Sequence, residues 1–230
     1  MKIISIEGNI GSGKSTCIQY LKQKYKNNTN VYFVDEPIQD WNKIKDKNNK
    51  TIFECFYEDK NKYSFQFQLT TLVTRYKNLK KTIELIKNKN KQNKLRLKNA
   101  IIITERCIFS DHHIFTKMLF DTGFITKMEY SIYMEYFNEF IKISEPIHYI
   151  FINTNIQTCL DRINKRFRTE EKSISYDYIQ LCHQYYTSFI NHEKIKNRRI
   201  YTIEGNTNRI TNDKYIFSEK EQNILNKFII

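Results

Sequence analysis

Glycine and proline are scarce: the 230-residue chain holds five of the first and two of the second. So little of either excludes collagen-like and Pro/Gly-rich low-complexity classes. Pro37 and Pro146 both fall beside candidate strands, at element edges. No apolar run approaches the roughly 18 residues that a membrane-spanning helix needs. Residues 1–6 are apolar but too short for a signal peptide, so the cytoplasm (of a host, for a viral protein) is the expected location. The five cysteines form no CxxC pair and are an odd number, which suits reduced, packed thiols. His112 and His113 are the only adjacent histidine pair, and neighbours on a helix point apart, so no structural metal is expected.

Basic charge is what the chain has in excess. The formal net charge is +13, from 38 basic and 25 acidic residues, and only nine of the basic ones are arginine. Residues 76–100 carry nine basic residues and one acidic. The run reads as the solvated end of a long helix and a loop, the usual meaning of a charge run. It lacks the interleaved aromatics of a single-strand stacking platform, and nucleic acid is not an expected partner.

Short, β-branched apolar runs at 2–6, 31–34, 100–104, 147–152 and 199–203 alternate with helical patterns at 14–27, 62–88, 109–121, 126–143, 155–165 and 175–192. Near-continuous apolar strands separated by crossover helices predict a parallel sheet covered on both faces. No repeat, linker or composition break divides the chain, so one domain over residues 1–230 is expected.

Three of the five glycines fall in Gly8-Asn9-Ile10-Gly11-Ser12-Gly13-Lys14-Ser15-Thr16, directly after the first strand and opening a helix. The pattern G-x-x-x-x-G-K-[ST] in that context is a phosphate loop. Its glycines let consecutive backbone N–H groups face a phosphate, Lys14 supplies a point charge, Ser15 offers a hydroxyl to Mg²⁺, and the helix dipole adds to both. A nucleoside triphosphate is thereby indicated, but not what receives the phosphoryl group.

Four further clusters address the acceptor. Asp35-Glu36-Pro37 ends the second strand, with Trp41 following. A carboxylate at the C-terminal edge of a parallel strand faces the ligand crevice and can take a proton from an attacking hydroxyl. Glu105-Arg106-Cys107 ends the third strand, ahead of Ser110-Asp111-His112-His113-Ile114-Phe115. There a glutamate can hold Mg²⁺ through water, and an arginine can stabilise charge on a transferring phosphoryl group. Tyr57 precedes Phe67, Gln68 and Arg75, the last two seven apart and so on one helical face. Arg162, Arg166 and Arg168, with Glu170 and Glu171 behind them, form the last cluster.

In this order the clusters resemble the deoxynucleoside kinase family, which includes deoxycytidine, deoxyguanosine and mitochondrial thymidine kinases. The match runs through GNIGSGKST, EP…W, Y…SFQFQ…R, ERCIFSDHHIF and RINKRFRTEEKSISYDY, over roughly residues 2–190. The resemblance implies an α/β, P-loop NTPase-type fold with a five-stranded parallel sheet flanked by helices and an arginine-bearing lid at about 162–172. It implies ATP as phosphate donor, Mg²⁺, a deoxynucleoside acceptor phosphorylated on its 5′-hydroxyl, a role in nucleotide salvage, and a homodimer through helices near 50–75 and 110–140. Glu36 would be the general base, with Glu105 its rival and the residue serving the Mg²⁺ shell beside Ser15. Arg106 would position the 5′-hydroxyl and the transferring phosphate. Tyr57 and Glu171 would bind the sugar 3′-hydroxyl, Gln68 would read the base edge, and Trp41, Phe67 and Phe115 would pack on the base. Arg162, Arg166 and Arg168 would close over the ATP phosphates.

Arg75 and Asp111 occupy the positions where family members acting on deoxycytidine and purine deoxynucleosides carry an Arg–Asp pair. Polar atoms there would sit badly against the thymine methyl, so deoxycytidine, deoxyadenosine or deoxyguanosine is expected over thymidine. Cys107 departs from the serine usual at its position, Thr71 lies one turn before Arg75 where it could tune base choice, and residues 204–210 sit at the place of the family's loop around the ATP adenine, with Asn208 and Arg209 the candidates. Two other readings compete. A nucleoside monophosphate kinase would need further basic residues for its acceptor's phosphate, and a nucleic-acid-binding P-loop ATPase would use the net charge and respond to added DNA.

Overall fold

The computed structural model describes residues 1–89, 91, 94–144, 148–166, 171, 174–207, 210–211, 214–215 and 217–229. Its centre is a sheet of five parallel strands: β1 (Lys2–Glu7), β2 (Val31–Val34), β3 (Ile101–Glu105), β4 (His148–Asn153) and β5 (Arg199–Glu204). The spatial order is β2-β3-β1-β4-β5. Chain order therefore reverses on either side of β1, and ligands bind at such a switch point, beyond the carboxyl ends of the strands.

Helices α1 (Lys14–Lys24), α2 (Ile38–Trp41), α3 (Ile52–Glu58), α4 (Lys60–Lys89) and α5 (Lys94–Asn99) precede β3. After it come α6 (Ile108–Ser110), a π-helical segment (Asp111–Thr116), α7 (Lys117–Asp121) and α8 (Lys127–Ser144). Helices α9 (Ile156–Lys165) and α10 (Tyr176–Ile195) lie between β4 and β5; the two-residue strands β6 (Ile210–Thr211) and β7 (Lys214–Tyr215) and α11 (Glu219–Ile229) follow β5. The expected strands all form, within a residue of their anticipated ends. The expected helix over 109–121 is interrupted by the π segment, and α2, α3, α5 and α11 are additional.

Alternation along the strands explains why both sheet faces are covered. Ile4, Ile6, Ile101, Ile103, Ile150 and Ile152 pack with Cys17, Ile18 and Leu21 of α1 and Leu225 and Phe228 of α11. Their neighbours Ile3 and Ile102 face the other way, onto Leu79, Ile83 and Ile86 near the end of α4. That end of α4 turns Lys77, Lys80, Lys81, Lys87 and Lys89 to solvent. The part of the basic run on α4 is thus the outer face of an amphipathic helix end, as expected, whereas Lys94, Arg96 and Lys98 lie on α5, where a loop was expected.

The phosphate loop is packed from behind by α9. Gly11 has φ +76, and a Cβ there would lie 2.4 Å from the Cys159 carbonyl oxygen. Backbone strain and a clash with immobile backbone add together, so Gly11→Ala is expected to destabilise the fold by about 2 kcal/mol or more. Urea denaturation of the variant beside the wild type measures this; an unchanged midpoint would show that the loop has room to shift.

Candidate functional site

All five strand ends open into one cavity of about 410 Å³. From β1 comes the phosphate loop. Residues Ile10 to Thr16 line the cavity, while Gly8 and Asn9 lie in the loop off its wall. Asn9 ties the loop down, donating from Nδ2 to the Ile179 carbonyl at 2.9 Å, and its own carbonyl accepts from Lys14 Nζ at 2.7 Å. Burial and the nearby Arg106 push the Lys14 pKa down to about 7, so an incoming polyanion would restore its full charge. Ser15, at the start of α1, donates from its hydroxyl to Glu105 Oε1 at 2.9 Å. Two oxygen donors thus stand side by side at the mouth of the loop, a donor set suited to a hard divalent cation. No group of three or more metal-ligating side chains occurs among the described residues.

Glu36, just beyond β2, is gripped by two arginines. Arg106 Nη1 reaches its Oε1 at 2.9 Å and Arg75 Nη2 reaches the same atom at 3.0 Å. Burial alone would raise the carboxyl pKa, but Arg106, Arg75 and Lys14 outweigh it and hold it at about 2. Arg75 also donates from Nη1 to the Glu105 carbonyl at 2.5 Å and pairs through Nε with Asp111 Oδ2 at 2.6 Å. Glu105 is pushed the other way, upward, by burial and by Glu36. Two carboxyl groups in one cavity therefore differ in proton affinity, the arrangement from which acid–base roles arise.

Arg106 sits at φ +60, a left-handed conformation unusual for a side chain of its size. Its N–H bonds the Ile6 carbonyl at 3.0 Å, and its Nε donates to the Tyr186 hydroxyl at 2.8 Å. The guanidinium lies 4.8 Å from the centre of the Phe115 ring. Sheet, α10 and the π segment together fix this one residue.

Helix α4 presents Gln68, Thr71 and Arg75 to the cavity, at the three- and four-residue spacing of one helical face. Around them stand Trp41, Tyr57, Phe67, Asp111 and Phe115. Trp41 Nε1 donates to Thr74 at 3.0 Å, and its ring meets Phe67 edge-on at 5.3 Å. Phe53, Phe56 and Tyr178 complete this aromatic end, none of them anticipated. Arg162, Arg166 and Glu171 also line the cavity, where burial and then the nearby Glu171 raise the pKa of the Tyr57 phenol. Arg162 belongs to α9 and donates to the carbonyls of Ser12 at 3.2 Å and Thr207 at 3.0 Å. Arg166 caps that helix, and its Nε meets Glu171 Oε2 at 2.5 Å. Arg168, Asn208 and Arg209 lie outside the described residues. Cys17, Ile203 and Phe217, which the sequence did not single out, also line the cavity, with Gly205 and Thr207 from the 204–210 stretch.

Behind the loop, Glu7 was also missed. It is fully buried; its Oε1 accepts from Ser5 at 2.5 Å and from the Cys107 thiol at 3.4 Å, while Oε2 has no hydrogen-bond partner among the described residues. Burial raises its pKa. Its stabilising contribution is therefore fully present below the unfolded pKa of about 4.3 and is lost as pH rises through the higher folded value. Glu7→Gln removes that loss. Urea midpoints of the variant should decline less than those of the wild type between pH 5 and 8, and parallel pH profiles would contradict this account.

The deoxynucleoside kinase family profile matches residues 4–229. A protein of Invertebrate iridescent virus 3 named as a kinase is 34% identical over 205 residues, covering 89% of this chain and 88% of its own. A fowlpox virus protein named as a deoxycytidine kinase is 34% identical over 208 residues, 89% of this chain and 78% of its own. Human deoxycytidine kinase is 28% identical over 220 residues, 89% and 81% respectively. A match of that extent, on a five-stranded parallel sheet that opens its strand ends into a phosphate-loop cavity, has one meaning: the chain is a kinase and belongs to the deoxynucleoside kinase family.

Proposed function

We propose that the protein transfers the γ-phosphoryl group of ATP to the 5′-hydroxyl of a deoxynucleoside, in salvage of DNA precursors. Deoxycytidine, deoxyadenosine and deoxyguanosine are preferred over thymidine. The observation that carries this reading is Glu36, a partly buried carboxylate that lines the cavity with the phosphate loop and the aromatic residues and is held by Arg75 and Arg106. Such a group suits an uncharged hydroxyl acceptor. A monophosphate acceptor would want free cations, yet both guanidinium groups beside Glu36 are already engaged by carboxylates.

In this reading Glu36 takes the proton of the 5′-hydroxyl, and Arg106, fixed by Tyr186, orients that oxygen and spreads charge from the transferring group. Ser15 and, through water, Glu105 would hold Mg²⁺, which when bound neutralises charge on the β- and γ-phosphates. Lys14 leaves the Asn9 carbonyl for the phosphates. Tyr57 and Glu171 take the sugar 3′-hydroxyl, Gln68 the base edge, and Trp41, Phe67 and Phe115 the base faces. Since Glu171 already pairs with Arg166, sugar binding and lid position share one carboxylate. Arg162 and Arg166, with Arg168, close over the phosphates and keep water out. The Arg75–Asp111 pair supports the base preference, because burying a methyl against its polar atoms is unfavourable. A nucleoside that engages Arg75 draws on the guanidinium that lowers the Glu36 pKa, so acceptor binding would raise the basicity of the base.

We also propose a homodimer. Helix α8 exposes Met128, Ile132, Tyr136 and Ile143, a stripe at helical spacing, and α4, which packs on α8, exposes Val73.

Incubation with Mg²⁺-ATP and each deoxynucleoside should yield monophosphates from deoxycytidine or the purine deoxynucleosides, and little from thymidine. Glu36→Gln should lower kcat by about 10²- to 10⁴-fold with a much smaller change in KM. Intact turnover would transfer the base role to Glu105, and a thymidine-dominated profile would refute the argument from Arg75 and Asp111. Sedimentation should show a wild-type dimer that Ile132→Glu converts to monomer; a monomeric wild type refutes the dimer.

A further inference from the structure

We propose that Thr116 sets base selectivity by fixing which way round the Gln68 amide lies, an inference that rests on Gln68 reading the base. Thr116 closes the π segment that also carries Asp111 and Phe115, and it is completely buried. Its hydroxyl donates to Gln68 Oε1 at 3.3 Å. A side-chain amide has an acceptor end and a donor end of nearly the same shape, and only its partners decide which end goes where.

A hydroxyl could serve either end, since it both donates and accepts. Tyr133 bears on that freedom. It is fully buried on α8, with Thr116 and Asp111 beside its hydroxyl, and that hydroxyl makes no hydrogen bond among the described residues. A buried phenol left unpartnered is costly. A small turn toward Thr116 would let it donate there, leaving the threonine's single proton on Gln68 Oε1, where the structure has it.

The consequence is a matter of matching hydrogen-bond groups. With Oε1 held toward the π segment, the amide oxygen and the Asp111 carboxylate are acceptors on the same side of the pocket. An exocyclic amine has two protons for two acceptors, and the adjacent ring nitrogen of cytosine or adenine accepts from Gln68 Nε2. A keto base presents an oxygen to that pair of acceptors and a ring N–H to the amide donor. Guanine and thymine would need the amide reversed, against the Thr116 hydrogen bond.

Thr116→Val replaces the hydroxyl with a methyl of similar size, and Thr116→Ser keeps the hydroxyl. With ATP saturating, the ratio of kcat/KM for deoxycytidine to that for deoxyguanosine should narrow about 5- to 10-fold in Thr116→Val, the scale of one hydrogen bond. Tyr133→Phe should narrow it in the same direction, and Thr116→Ser should preserve it. Equal losses for both nucleosides in Thr116→Val would show a packing role and overturn the proposal. So would a wild type that favours deoxyguanosine over deoxycytidine. If Thr116→Val does not fold, the comparison of Tyr133→Phe with wild type decides by the same criterion. Gln68→Leu separates the two layers. If it leaves the ratio unchanged, Gln68 does not read the base and the underlying reading fails. If it collapses the ratio while Thr116→Val does not move it, only the role of Thr116 fails.

Discussion

The site is organised around a partly buried carboxylate that two buried guanidinium groups share. Arg75 and Arg106 keep Glu36 ionised in the cavity, and neither arginine could be buried without a carboxylate. Satisfying all three charges requires β2, α4 and β3 to deliver their residues to one point. Asp111 extends the knot to the π segment and Glu105 extends it to the phosphate loop. The phosphate loop and the π segment are thus joined through ion pairs and hydrogen bonds, and what a ligand does to one member is felt by the rest. Such knots contribute little net stability, because desolvation offsets the attraction; their value is to fix geometry.

Parallel strands of a doubly covered sheet announce themselves in sequence, since both faces must be apolar. The five runs of Ile, Val and Tyr were legible for that reason, and the loop after β1 was legible because its chemistry needs glycine and lysine at fixed spacing. The positions of Glu36, Glu105 and Arg106 followed from the strand ends that carry them. Gln68 and Arg75 followed from helical spacing.

What escaped has physical reasons as well. Helix α3 is short and its aromatic residues line a pocket, so it shows no simple amphipathic pattern; the Thr51–Glu54 capping box, now seen in the structure, was its one available signal. Cys17, Ile203 and Phe217 reach the cavity from separate parts of the chain, and no local pattern links them. Glu7 carries no signal of its own in the sequence, because its burial depends on what packs over it. Tyr186 reads as core until Arg106 is seen to bond it.

The π segment carries a different kind of consequence. Between Asp111 and Thr116 the helix is underwound, and Lys117 N–H still reaches back to the His112 carbonyl. An α-helix turns about 100° per residue, so loss of a single residue here would restore a regular helix and swing Asp111 round relative to Thr116. The part of the cavity lined by Asp111 and Phe115 is therefore readily altered by a change in chain length at this one place, with the sheet and the phosphate loop untouched. Diversification of substrate choice on this scaffold has a route through insertion and deletion as well as through side-chain replacement.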